Sequence, residues 1–93
     1  MLVGVCHIEM FVPDSNSLKA KRSVLNSLKK RIRNKFNVSV AEVGMHDKWQ
    51  RTSVAISMVC NDRKFIDMTV NQILHLIEMD GRVEILNHAV ELY

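Results

Sequence analysis

The sequence predicts an α+β sandwich in which one four-stranded antiparallel sheet carries two helices on a single face. Three observations predict it. Apolar residues alternate in four short stretches, 2–12, 36–44, 52–60 and 82–92, as half-buried strands require. The period lengthens to that of a helix between the first and second stretches, and again between the third and fourth. The order is therefore β-α-β-β-α-β, and right-handed crossovers place both helices on one side of the sheet. Two interlocked units of this kind give the split βαβ, ferredoxin-like arrangement with strand order 4-1-3-2.

The first stretch, LVGVCHIEMFV, sends Leu2, Gly4, Cys6, Ile8, Met10 and Val12 to one face. Val3, Val5, His7, Glu9 and Phe11 take the other. Pro13 ends it, and Ser17 is placed to cap a helix by accepting from a first-turn amide. That helix runs from Leu18 to Phe36, fraying around Asn34–Lys35, with Leu18, Leu25, Leu28, Ile32 and Phe36 at helical spacing. FNVSVAEVG follows as the second strand, then GMHDKWQR as a polar hairpin connection (44–51) carrying one Trp. The third strand, TSVAISMVC, turns Val54, Ile56, Met58 and Cys60 inward. Asn61 and Asp62 offer a cap for a second helix, Phe65 to Met79, whose buried arc is Ile66, Val70, Ile73, Leu74 and Ile77. Gly81 stops it. In the last strand, RVEILNHAVEL, the alternation slips around Leu86–His88, which predicts a bulge.

The first helix is chemically unlike the rest of the chain. It holds eight of the thirteen Lys and Arg residues, and no Asp or Glu falls between Asp14 and Glu42. At about 100° per residue, Lys19, Arg22, Lys29, Lys30 and Arg33 share a flank opposite the apolar arc. Like charges at i,i+3 and i,i+4 repel by a few tenths of a kcal/mol each. A stripe without interleaved Glu thus reads as a surface for an anionic partner, against the plainer alternative of a solvated face. The topology brings the 44–51 hairpin to the end where this helix begins, so Lys48, Trp49 and Arg51 join Lys19 and Arg22. Trp49 has two readings: a ring that stacks on an unpaired base, or a lid over the core.

Lys21 falls inside the apolar arc of its helix, where a bare ammonium is costly to bury. Glu42 has the matching anomaly, because strand parity turns it toward the helices. The pair is expected to form a partly buried ion bridge between the helix and the second strand.

Composition narrows the function classes. Ninety-three residues, 47% apolar and 25% charged, suit one domain (1–93) with a modest core. The net charge is only +3, so the basic character belongs to one element. Nucleic acid, an acidic protein and an anionic membrane surface are the partners to weigh, membrane the weakest, since no run approaches a spanning length. The chain opens directly on a strand with no signal segment, and Cys6 and Cys60 lie in apolar strand patterns, which together predict a reducing cytoplasm. His7, His46, His75 and His88 come from separate elements, so no metal site is expected. Ser15, Ser17, Ser23 and Ser27 read as capping and helix-surface residues; neither a nucleophile–base set nor a Gly-rich phosphate cradle is present, and no catalytic residue or cofactor is expected. The strands offer few aromatics for stacking, so RNA binding would use helix and loop. The small apolar side chains of the open sheet face suit a homodimer or a solvated surface.

The run SLKAKRSVLNSLKKRIRNKFNVSVAEVGMHDKWQR resembles the bacterial DUF503, or YlxP-like, family. The likeness extends from the opening VGV through SLKxKR, FNVSVAEVG and DxWQR to the closing VEL. It implies a small ferredoxin-like domain with no established enzymatic activity. It also implies a setting among translation and ribosome-maturation genes, which favours RNA or the small ribosomal subunit as partner. The chain departs from the family at Thr52–Ser53, where Ala and a larger apolar residue are usual.

Overall fold

A computed structural model describes residues 1–93. β1 (Leu2–Phe11), α1 (Leu18–Lys35), β2 (Ser39–Gly44), β3 (Arg51–Cys60), α2 (Arg63–Asp80) and β4 (Glu84–Leu92) follow in order. The strands lie as β2-β3-β1-β4, every neighbouring pair antiparallel. This is the ferredoxin-like α+β fold with both helices on one face.

Alternation decides the layers. Gly4, Cys6, Ile8, Met10 and Val12 of the first strand region, and Val54, Ile56 and Met58 of β3, are buried beneath the helices. Leu25, Leu28 and Ile32 descend from α1, and Ile66, Val70, Ile73 and Ile77 from α2. Gly4 matters for this contact. A Cβ there would stand 2.8 Å from the Ile66 side chain, so only Gly lets α2 settle onto β1.

Local signals fix the element ends. The Ser17 hydroxyl accepts from the Ala20 N–H at 3.0 Å, and the Asp62 carboxylate accepts from the Lys64 N–H at 3.0 Å. Gly81 closes α2 in the left-handed region at φ 82°. The bulge falls within the expected segment: Glu9 faces Asn87 while Met10 faces Ile85, leaving Leu86 as the extra residue of β4.

Three boundaries differ from the sequence reading. β2 begins at Ser39 and not at Phe36, because the Phe36 N–H still bonds the Ile32 carbonyl at 2.8 Å and caps α1. α2 begins at Arg63 and not at Phe65, since the cap is Asp62. β4 begins at Glu84, because Arg82 is held at the helix end by its guanidinium contacts to Asp80.

Candidate functional site

The site is assembled where α1 begins and the β2–β3 hairpin turns. Lys21, the first turn's inward residue, is completely buried. Its Nζ donates to the Met45 carbonyl at 2.7 Å and the Arg51 carbonyl at 3.2 Å, with the His46 carbonyl at 3.4 Å. Glu42 Oε2 lies 3.1 Å from the same nitrogen. One ammonium therefore gathers both arms of the hairpin and ties them to the helix. Met45 sits at φ 61°, a conformation that a side-chain-bearing residue seldom adopts, and its carbonyl makes the shortest of these contacts.

Glu42 is served from three sides. The Thr52 hydroxyl donates to Oε2 at 2.6 Å, Lys21 lies against the same oxygen, and His46 Nδ1 stands 3.6 Å from Oε1. Burial alone would raise this carboxyl. The Thr52 and Lys21 hydrogen bonds and the nearby positive charge outweigh it and hold the group below its ordinary range. Thr52 is itself fully buried. Its hydroxyl is a donor that an Ala at this position could not supply.

The cations of α1 divide into two sets. Lys21 is consumed by the hairpin. Arg31 pairs with Asp80 at the end of α2, where Arg82 binds the same carboxylate. The Arg82 hydrogen bond, against some opposition from burial and with help from Arg31, keeps Asp80 below the ordinary carboxyl range. Arg33 Nη2 donates to the Val40 carbonyl of β2 at 2.8 Å, and Lys35 Nζ stands 5.7 Å from the centre of the Phe36 ring. Lys19, Arg22, Lys29 and Lys30 make no salt bridge and no side-chain hydrogen bond to protein. Lys19, Arg22 and Lys30 are exposed and Lys29 half-buried.

The hairpin residues also divide. Lys48 and Trp49 are exposed, the indole retaining 57% of its accessible surface. The ring is not part of the core cluster, so it does not act as a lid. Arg51 alternates with buried Thr52 and points to the open sheet face, where its Nη2 meets Glu9 Oε2 at 3.3 Å. Fold topology brings Lys48 and Trp49 to the end of the molecule where Lys19 and Arg22 lie, whereas Arg33 lies at the far end of α1 and Arg51 on the other face of the sheet. Sequence reasoning missed the Arg33 and Arg51 partners because neither is signalled by spacing. It could have found Thr52, whose parity matches inward Val54 and Ile56.

A cleft of about 710 Å³ lies at the opposite end, between the end of α1 and the start of α2, lined by Phe36, Met58, Val59, Phe65, Met68 and Lys35 among others. It shares no residue with the Lys21 cluster. No group of three or more His, Cys, Asp or Glu side chains could hold a metal ion, and no helix is long and apolar enough to cross a membrane.

The protein is therefore a ferredoxin-like domain with a basic helix flank beside a pinned hairpin. Residues 3–90 match the family described as protein of unknown function DUF503, and the chain belongs to that family. It is 37% identical over 83 residues to the uncharacterised protein YlxP of Bacillus subtilis (strain 168), covering 89% of this chain and 90% of that relative. Among solved structures, the de novo designed protein Foldit4 is similar in fold, with TM-score 0.56 and 18% identity over all of this chain and 97% of the design.

Proposed function

We propose that this protein is a non-enzymatic RNA-binding module of the cytoplasm, acting on the ribosome or in translation. It meets RNA through the outer flank of α1 and the tip of the β2–β3 hairpin. One observation carries the reading. Of the cations on α1, those with protein partners serve the fold, and Lys19, Arg22, Lys29 and Lys30 are left together without a carboxylate. A cluster of unpartnered cations on one rigid helix is disfavoured by self-repulsion, and phosphates relieve it through sequence-independent contacts. Trp49, exposed on a hairpin held to the same helix by Lys21, adds an aromatic face for an unpaired base. The resemblance to a family set among translation genes points to the small ribosomal subunit as the RNA-rich partner.

Crosslinking in cells tests this reading. Ultraviolet crosslinking followed by peptide mapping should place RNA on 19–30 and on Trp49. Protein that purifies free of RNA at low salt, with no crosslinks in either segment, would overturn it. Such protein, self-associating through Val3, Val5, Ala55 and Val59, would favour instead an assembly role for the open sheet face.

A further inference from the structure

The two edges of the sheet are treated differently. β2 is six residues long, its register shifts between Glu42 and Gly44, and Arg33 donates to the outward carbonyl of Val40. Both edges carry a bulge, but short length and a charged side chain over the backbone are further devices that prevent strand addition, and only β2 has them. β4 is nine residues long with no Pro, Lys or Arg, and no side chain bonds its free backbone edge. Val3 and Tyr93 exchange both backbone hydrogen bonds, at 3.0 and 2.9 Å. Alternation then turns the N–H and C=O of His88, Val90 and Leu92 away from β1. Leu86 and Val90 flank this stretch with 45% and 39% of their surface exposed, although His88 and Val90 stand opposite the buried Ile8 and Cys6 on the helix-bearing face.

We propose that β4 pairs antiparallel with β4 of a second copy, about a two-fold axis through His88, joining two sheets into one of eight strands. The register follows from the side chains. With His88 opposite His88, Leu86 of each copy faces Val90 of the other, so both exposed apolar residues are covered twice. On the open face Asn87 meets Ala89, so no two carboxylates stand opposite one another within the paired segment. Moving the axis to residue 87 or 89 places His88 opposite Leu86 or Val90 and leaves the apolar pair unmatched. His88 points its backbone outward, so the central pair can exchange two hydrogen bonds. The bulge at Leu86 confines regular pairing to 86–90, and a seam this short gives a dimer whose population rises with concentration. The axis lies at the edge far from β2, over which α1 packs. The two basic helices therefore sit toward the outer ends of the joined sheet, whose outermost strands are about 34 Å apart.

Sedimentation of the full chain across a range of concentrations, joined to cysteine crosslinking, tests this. The native protein should pass from monomer to dimer, and Val90→Lys should remain monomeric with an unchanged melting temperature and circular dichroism spectrum. In a Cys60→Ser background, His88→Cys should form a disulfide-linked dimer on mild oxidation. Leu86→Cys or Val90→Cys alone should not, whereas a mixture of those two variants should crosslink as a heterodimer. A chain monomeric at millimolar concentration, a dimer unmoved by Val90→Lys, or self-crosslinking from Leu86→Cys alone as efficient as from His88→Cys would each overturn the proposal. None of these outcomes depends on what the α1 flank binds.

Discussion

Lys21 concentrates the physical tension of the molecule in one side chain. An ammonium without water is tolerable only when its donors and charge are met, and here three backbone carbonyls and one carboxylate meet them. Lys21→Met should destabilise the fold by about 3–5 kcal/mol, the range for breaking a buried pair, because it strands Glu42 and releases the hairpin carbonyls. Adding Glu42→Leu should recover part of that loss in chemical denaturation, though not the part due to the carbonyls. A double variant no more stable than the single one would contradict this account. The pH dependence has a definite sign. Glu42 and Asp80 both titrate lower in the folded state than their ordinary values, so their stabilisation is complete above the unfolded carboxyl range, near pH 4. It is lost as pH falls through the lowered folded values. Thermal melts from pH 6 downward should show a shallower acid loss for Glu42→Gln than for the native chain.

At the scale of elements, the hairpin and the edge strand show what the sequence could and could not disclose. The anomaly of Lys21 and Glu42 was legible because each broke the apolar pattern of its own element. The carbonyl ring around the ammonium was not, since backbone oxygens leave no trace in composition. Nor was the Arg33 contact: that residue falls on the basic stripe, yet its guanidinium covers Val40. Arg33→Gln should therefore lower stability by about 1 kcal/mol and leave the salt dependence of RNA binding unaltered, as melting and titration of one variant will check. Trp49 is the converse case. Its exposure predicts that Trp49→Ala lowers RNA affinity by the equivalent of about 1–3 kcal/mol with little change in melting temperature. Intact binding with a lower melting temperature would remove Trp49 from the interface.

The whole molecule was largely readable from periodicity: strand order, the face carrying both helices, Ser17 and Gly81 at helix ends, and the slip near Leu86 all followed from spacing. The errors lay at boundaries: Phe36 and Arg82 act as cap and clamp through contacts that pattern alone does not register, and α2 starts directly after the expected Asp62 cap, two residues before Phe65. The division of charge is a whole-molecule property too. A net charge of +3 hides a helix with eight cations and no anion, and only the fold reveals which of those cations are already engaged. The central claim is that Lys19, Arg22, Lys29 and Lys30 meet phosphate.

The most direct test is the salt dependence of RNA affinity for the native chain and for Lys19→Gln, Arg22→Gln, Lys29→Gln and Lys30→Gln combined. Each lost contact should reduce the log–log slope by about 0.7–0.9, so the combined variant should bind weakly and nearly independently of salt while melting like the native protein. A slope unchanged by all four substitutions would contradict the α1 flank as the RNA-binding surface.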